Sequence, residues 1–202
     1  PHEGIRQGCL ALFAWRDAAG AARLLGALQH AVRRHGAPSA AAGGHTPNAN
    51  VYVTLNGLYR AGVPAGQLDT LPAEFREGMA ARASVLGDWQ DNHPTRWKLP
   101  VRNWPPPAGR RAEAVPLADV DLVLHLTHPD PVRADQPFAR DNPAHPLVAA
   151  LQRLLDACAD GAGDGGVEIL AVQPLQRIAR DTDQGPQAIG HFAALEHVGR
   201  EA

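Results

Sequence analysis

The chain is short of lysine, aromatic residues and cysteine, and each shortage excludes something. Lys98 is the only lysine among 202 residues; the other basic residues are arginines, and 19 basic against 21 acidic groups leave a formal charge of −2. That balance provides no basic field to hold nucleic acid or an anionic membrane surface. Two cysteines, Cys9 and Cys158, are too few for a disulfide framework and fit a reducing compartment. No apolar run approaches the roughly 20 residues of a membrane span, and no signal-peptide pattern is found. A cytoplasmic location, with neither nucleic acid nor membrane as partner, is therefore expected. What remains is a chain that is 45% apolar, with 37 alanines, 20 glycines and 18 prolines. Such a chain can build a globular core of small side chains between long loops.

The core elements can be read from periodicity. Gln7 to Trp15 contains a short stretch apolar on both faces (Cys9, Leu10, Ala11, Leu12, Phe13), as in a central strand covered on both sides. Asp17 is a plausible N-cap for a helix carrying Ala21, Leu24, Leu25, Leu28 and Val32 at helical spacing. Arg33, Arg34 and His35 suit its last turn, and Gly36 its stop. Val51, Val53 and Leu55 alternate with Tyr52 and Thr54, the pattern of a strand with one buried face. A second helix is expected after Thr70, with Leu71, Phe75, Met79 and Leu86 facing inward and Gly87 ending it. From Gly87 to Leu117 there is no usable period. Trp89, Trp97 and Trp104 suggest that this loop lies down on the fold.

Val120, Leu122, Leu124 and Leu126 then alternate with Asp121, Val123, His125 and Thr127, which predicts another strand. A Pro-rich loop leads to a helix with Leu147, Leu151, Leu154, Leu155 and Cys158 on one stripe. After a turn over Gly161–Gly166, Val167–Val172 reads as the last strand. With the insertion set aside, the order is βαββαβ, an α+β ferredoxin-like fold: an antiparallel four-stranded sheet with both helices on one face and a long insertion between the second and third strands. One domain over 1–202 is expected, with its core over about 5–175, the long loop over about 87–118 and an irregular tail over about 176–202. The second sheet face, with Leu10, Leu12, Val123 and His125, needs cover from the loop or from another domain.

Few constellations carry chemistry. His125 and His128 form an H-x-x-H pair, but positions i and i+3 of a strand point to opposite faces, so they do not share a metal without a bend. Cys9 and Cys158 fall at core positions. The glycines at 163–166 precede a strand instead of opening a helix, and so read as a turn and not a phosphate loop. Asp88, Asp91, His93, Arg96 and Trp97 cluster in the long loop and fit a solvated loop better than a site.

The run Pro72-Ala73-Glu74-Phe75-Arg76-Glu77-Gly78-Met79-Ala80-Ala81-Arg82, followed by Leu86-Gly87-Asp88, resembles the hallmark N-terminal segment of dye-decolourising (DyP-type) haem peroxidases. Gln7-Gly8, Thr54-Leu55-Asn56-Gly57-Leu58 (a T-x-x-G-L segment), Trp97, Leu124-His125-Leu126 and His191-Phe192 stand in the order that family shows. The resemblance implies haem as cofactor, two ferredoxin-like domains with the haem held mainly by the second, and oxidation of dyes or phenolics by peroxide. It also implies a distal aspartate in a G-x-x-D-G motif after the His-Phe pair, moving the protons of peroxide. Here the chain reads Ala193-Ala194-Leu195-Glu196-His197, so both glycines are replaced and Glu196 stands where the aspartate would be, as the candidate catalytic residue. No histidine of the chain is assignable as the axial ligand, and a second chain or domain would have to supply the haem-binding half. The competing expectation is a non-catalytic ferredoxin-like domain that binds a protein partner or forms a homo-oligomer.

Overall fold

The computed structural model describes residues 7–32, 47–104, 113–128, 138–159, 165–177 and 192–194. Strand β1 (Gln7–Trp15) lies at the sheet centre, between β3 (Leu122–His128) and β4 (Val167–Arg177), and β2 (Asn48–Val53) pairs with the far side of β3. All pairings are antiparallel, giving the order β2-β3-β1-β4 of the ferredoxin-like fold. A three-residue strand, β5 (Phe192–Ala194), continues the sheet beyond β4 at Leu175–Arg177. It falls where the sequence offers only an irregular tail, because three residues are too few to display a strand period. Among the described residues no helix is long and apolar enough to cross a membrane.

Helices α1 (Ala18–Val32) and α6 (Pro146–Cys158) cover one face. Asp17 caps α1 as expected, its carboxylate accepting from Gly20 N at 2.8 Å. Arg33, Arg34, His35 and Gly36, expected as its last turn and stop, lie outside the described residues. Alternate residues of β1 (Cys9, Ala11, Phe13, Trp15) meet Ala21, Leu24 and Leu28 of α1 and Leu147, Leu151, Leu154 and Cys158 of α6 in one buried cluster. The many alanines let helices and sheet approach closely, while Phe13 and the leucines fill the space between.

Four short helices occupy the insertion: α2 (Leu55–Arg60), α3 (Ala65–Leu68), α4 (Ala73–Ala81) and α5 (Ala83–Leu86). Here the sequence expectation is corrected. Instead of one helix capped by Thr70, α4 begins after Pro72, and Thr70 donates its hydroxyl to Gln67 O. Gly78 breaks the helix with φ 73°, in the left-handed region where glycine is unstrained. Gly87 ends α5 in the same region. Phe75, Met79 and Leu86, expected to face inward, are exposed, and α4 buries no residue at all. An apolar period signals a face to be buried, but it does not say against what.

The rest of the insertion covers the second sheet face at one end. Val101 and Ala114 pair as a single antiparallel bridge, and Val115 and Val120 pack on Leu12, Ala14, Val123, Leu170 and Ala171. Leu170 and Ala171 both belong to this cluster because a bulge in β4, opposite Leu12 and Phe13, adds one residue. Asn103 closes the free edge of β4: its amide donates to Val172 O at 2.9 Å and accepts from Val172 N at 2.8 Å, imitating a neighbouring strand. Trp104 then reaches the helix-side core and meets Phe138 at 6.3 Å, so one of the three loop tryptophans anchors the insertion while Trp89 and Trp97 stay exposed. β4 continues through Pro174 to Arg177, beyond the expected end at Val172. Its ladder with β5 starts only at Leu175, which leaves the proline at an unpaired outer position.

His145 caps α6. Its Nδ1 accepts from Leu147 N at 3.3 Å, and its ring meets Phe138 edge-on with centroids 5.0 Å apart. Burial, and secondarily the charge of nearby His128, push its pKa below the ordinary 6.5. The fold thus favours the neutral ring. The associated stability is complete above the ordinary value and is lost as pH falls through the lower folded one. Urea unfolding at pH 7.5 and pH 5 should show the midpoint dropping on acidification. His145→Asn, which keeps a capping oxygen but cannot charge, should lose less; an unchanged pH slope in that variant would refute the assignment.

Candidate functional site

The densest polar constellation among the described residues sits where β2 hands over to α2. Thr54 ends the strand and caps the helix, its hydroxyl oxygen accepting from Gly57 N at 2.9 Å while the hydroxyl donates to Val120 O at 2.8 Å. Thr54 N donates to Asp121 O at 3.0 Å. Gly57 rests directly on the backbone of Asp121: a Cβ there would stand 2.1 Å from the Asp121 carbonyl oxygen. One turn on, Arg60 Nη1 reaches Asp121 Oδ1 at 3.0 Å, and Arg60 Nη2 donates to Ala118 O at 3.3 Å. The other carboxylate oxygen accepts from Trp15 N at 2.9 Å, and Asp121 N donates to Phe13 O at 2.9 Å.

Asp121 is fully buried, and both its oxygens are held by donors. A carboxylate so placed, with a donor on each oxygen, is a joint that ties the end of β1 to α2. The T-x-x-G-L segment is explained by the same geometry. Threonine supplies the cap, glycine the close approach, and the helical spacing from Gly57 to Arg60 brings the guanidinium to the acid. Asp121 and Arg60 were not singled out from the sequence. The available signal was an acidic residue amid the alternating apolar pattern of a central strand, which demands a buried partner.

The segment that carries the strongest resemblance forms a local body on the surface. Arg82 faces Glu77 at 3.4 Å and Glu74 at 3.8 Å, and Arg76 faces Asp69 at 3.7 Å. Arg96 pairs with Asp91 at 2.7 Å, His93 Nδ1 lies 2.8 Å from Thr95 Oγ1, and Trp97 donates its indole N–H to Asn92 O at 2.8 Å. The loop cluster of Asp91, His93, Arg96 and Trp97 thus satisfies itself locally, as in a solvated loop.

The histidines and cysteines lie apart. His125 is on the second sheet face, its Nε2 3.6 Å from a Cβ built on Gly8, whereas His128 is buried near His145. Burial lowers the pKa of His125. Among the described residues no group of three or more His, Cys, Asp or Glu could hold a metal ion. Burial pushes the Cys9 thiol up to about 12, a small opposing effect coming from its backbone hydrogen bond with Leu126. Burial also raises Cys158, against the nearby charge of Arg23. Both behave as core groups. Gly165 and Gly166, the described part of the glycine run, form a turn held to α1 by Arg23, whose Nε donates to Gly165 O at 2.9 Å. Glu196 and His191 lie outside the described residues.

An axial ligand for haem needs a histidine nitrogen aimed into open space beside the macrocycle. His145 spends Nδ1 on Leu147 N and is packed against Phe138; His128 is buried beside it, and His93 engages Thr95 at the surface. Buried or engaged in this way, those three do not fit an axial position, and His125 lies half-buried on the second sheet face.

Comparison with solved structures places the architecture. The chain is similar to a dye-decolorizing peroxidase in complex with cyanide, at 15% identity and TM-score 0.51, over 90% of this chain and 33% of that one. It is likewise similar to a dye-decolorizing peroxidase complexed with 2,6-dimethoxyphenol, at 15% identity and TM-score 0.50, over 91% and 33%. A decolorizing peroxidase from Auricularia auricula-judae matches at 13% identity and TM-score 0.50, over 87% and 31%. The chain therefore spans about a third of the length of these structures, and the likeness is one of fold. No family model matches the chain. No curated protein matches it by sequence.

Two glycines test the joint. Gly57→Ala should lower stability by about 3 kcal/mol or more, because backbone and not a flexible side chain must move. Gly26→Ala, inside α1 with nothing within 4 Å of the new Cβ, should raise it by about 0.5–1 kcal/mol. Urea titration of both variants checks the pair, and equal effects would remove the packing argument. Thiol titration with a disulfide reagent at pH 8 should find Cys9 and Cys158 unreactive until denaturant is added; rapid native labelling would contradict their burial.

Proposed function

We propose that this chain is a DyP-type peroxidase-related domain, the ferredoxin-like part of a haem-dependent peroxidase, and is inactive on its own. One observation carries the reading: the 72–88 segment that resembles the family's hallmark occurs in a chain of which about 90% is similar in fold to about a third of dye-decolorizing peroxidase structures. The chain's part in such an enzyme is that of a scaffold. The two thirds of the matched architecture that this chain does not span, in a second domain or chain, would carry the haem, whose chemistry is the heterolysis of peroxide and the oxidation of dyes or phenolics. Glu196, following His191-Phe192, is the residue of this chain that would face peroxide and move its proton.

A second reading has its own support. The chain leaves Phe75 and Met79 of α4 exposed, as expected of a non-catalytic ferredoxin-like domain that binds a protein partner or pairs with itself. Titration of the purified chain with haem, followed in the Soret region, separates the readings. The chain alone should give no saturable Soret shift and no peroxide-dependent dye oxidation. Both should appear when a complementary haem-binding domain encoded beside it is added, and Glu196→Gln should then slow turnover while leaving the Soret spectrum unchanged. No binding and no activity in any such mixture would overturn the peroxidase reading.

A further inference from the structure

A line of three rings joins the start of α6 to the far end of the insertion. His145 meets Phe138 edge-on with centroids 5.0 Å apart, and Phe138 meets Trp104 at 6.3 Å with the planes tilted by 47°. His145 and Trp104 are buried and Phe138 is half-buried between them. Next to Trp104 stands Asn103, whose side chain holds both backbone groups of Val172 on the β4 edge. Phe138 thus couples the cap of α6 to the anchorage of the insertion. This place is at the opposite end of β3 from the Asp121 joint, since Asp121 precedes that strand and His128, beside His145, ends it.

The cap fixes the state of the His145 ring. Nδ1 accepts from Leu147 N, so the ring proton sits on Nε2. A second proton would enter at Nδ1 and face the Leu147 N–H, donor against donor. It would place a positive charge at the N-terminus of a 13-residue helix, where the dipole favours a negative one. It would also charge a ring that is 2% exposed. His128 of β3 is the titratable group that acts on His145, and its charge opposes a second one. Gln7, opposite His128 in the β1–β3 register, is neutral, and Arg140 and Asp141 of the loop before α6 are exposed. Neither Gln7 nor these loop residues bring a buried anion to offset the proton. A charged His145 reaches water only by leaving its seat, which takes the acceptor from Leu147 N and the edge-on partner from Phe138. We propose that His145 is a proton-operated latch, whose protonation frees Phe138 and Trp104, and with them the Asn103 closure of the β4 edge, while sheet and core helices stay folded. Closure is complete above the ordinary histidine pKa of 6.5 and weakens as pH falls below it, because the open ring binds the proton more tightly than the closed one. This proposal does not depend on the peroxidase reading.

Amide hydrogen exchange read by NMR at about pH 7.5 and pH 5, each rate divided by the intrinsic rate at that pH, tests the latch. Leu147 N reports the cap, Val172 N the β4 edge, and Ala11 N in β1 the core. On acidification the opening constants of Leu147 and Val172 should rise together by about fivefold or more, and by no more than about tenfold per pH unit for one proton. Both should be insensitive to low urea, whereas Ala11 exchanges through the rarer, urea-sensitive global unfolding. His145→Asn, which keeps a capping oxygen but cannot charge, should remove the acid response of both amides. Phe138→Ala should keep the response at Leu147 and abolish it at Val172. Exchange of Leu147 and Val172 only together with Ala11, with the same urea slope, overturns the proposal. So does an acid response at Leu147 that Val172 does not share in the unaltered chain, or one that persists in His145→Asn.

Discussion

The buried carboxylate of Asp121 is the constraint on which the rest of the arrangement depends. A fully buried acid is tolerated only with partners for both oxygens, and the two oxygens here are held by different elements. Trp15 N comes from the end of β1, the Arg60 guanidinium from α2, and the main chain of Asp121 is itself bound by Phe13 and Thr54. The two central strands and the first helix of the insertion are thereby locked at one point. Arg60 is partly open to solvent, which screens its side of the pair, but removing it would leave a buried carboxylate with one donor fewer. Gly57 is a consequence of the same joint, since any side chain would push α2 off the strand.

From that point the insertion has one route. It leaves α2 at the β2 edge of the sheet, builds α3 to α5 outside the core, and returns across the second face through the Val101–Ala114 bridge. Asn103 and Trp104 are the far anchorage, one closing the β4 edge and the other entering the helix-side core. A long segment with few regular elements can stay ordered this way, because fixing it at both ends shortens the loop whose entropy must be overcome. The stretch between the anchors, Phe75 to Trp97, is the part that no strand or core helix constrains.

How much of this was legible in the sequence follows from which interactions are local. β1, β3, α1 and α6 announce themselves because their periods of 2 and 3.6 are long enough to stand above noise, and Asp17 caps its helix from an adjacent position. The inward placing of Phe75, Met79 and Leu86 failed because a period records that a face is apolar, while the surface it meets is set by contacts distant in sequence. Gly78 hid the break, as a single glycine within a helical pattern reads as tolerated. Asn103 and Asp121 reach partners 69 and 106 residues away, and no local pattern encodes such pairs. Trp104 separated itself from Trp89 and Trp97 only in three dimensions. The candidate site was less legible still: Glu196 rests on a motif alone and lies outside the described residues.

That contrast bears on what a likeness of fold can transfer. The family-like pieces that lie within the described residues do structural work: T-x-x-G-L builds the Asp121 joint, and the 72–88 segment builds a kinked helix with its apolar residues outward. Structural motifs of this kind persist wherever the same chain path must be closed, whether or not a cofactor is held nearby. Chemistry requires lone pairs or exchangeable protons directed at a space that a substrate can enter, whereas Thr54 and Asp121 are turned on partners within the joint. Matching the path of a peroxidase domain therefore argues for a common scaffold. Catalytic competence has to be argued separately, from groups that can meet a substrate.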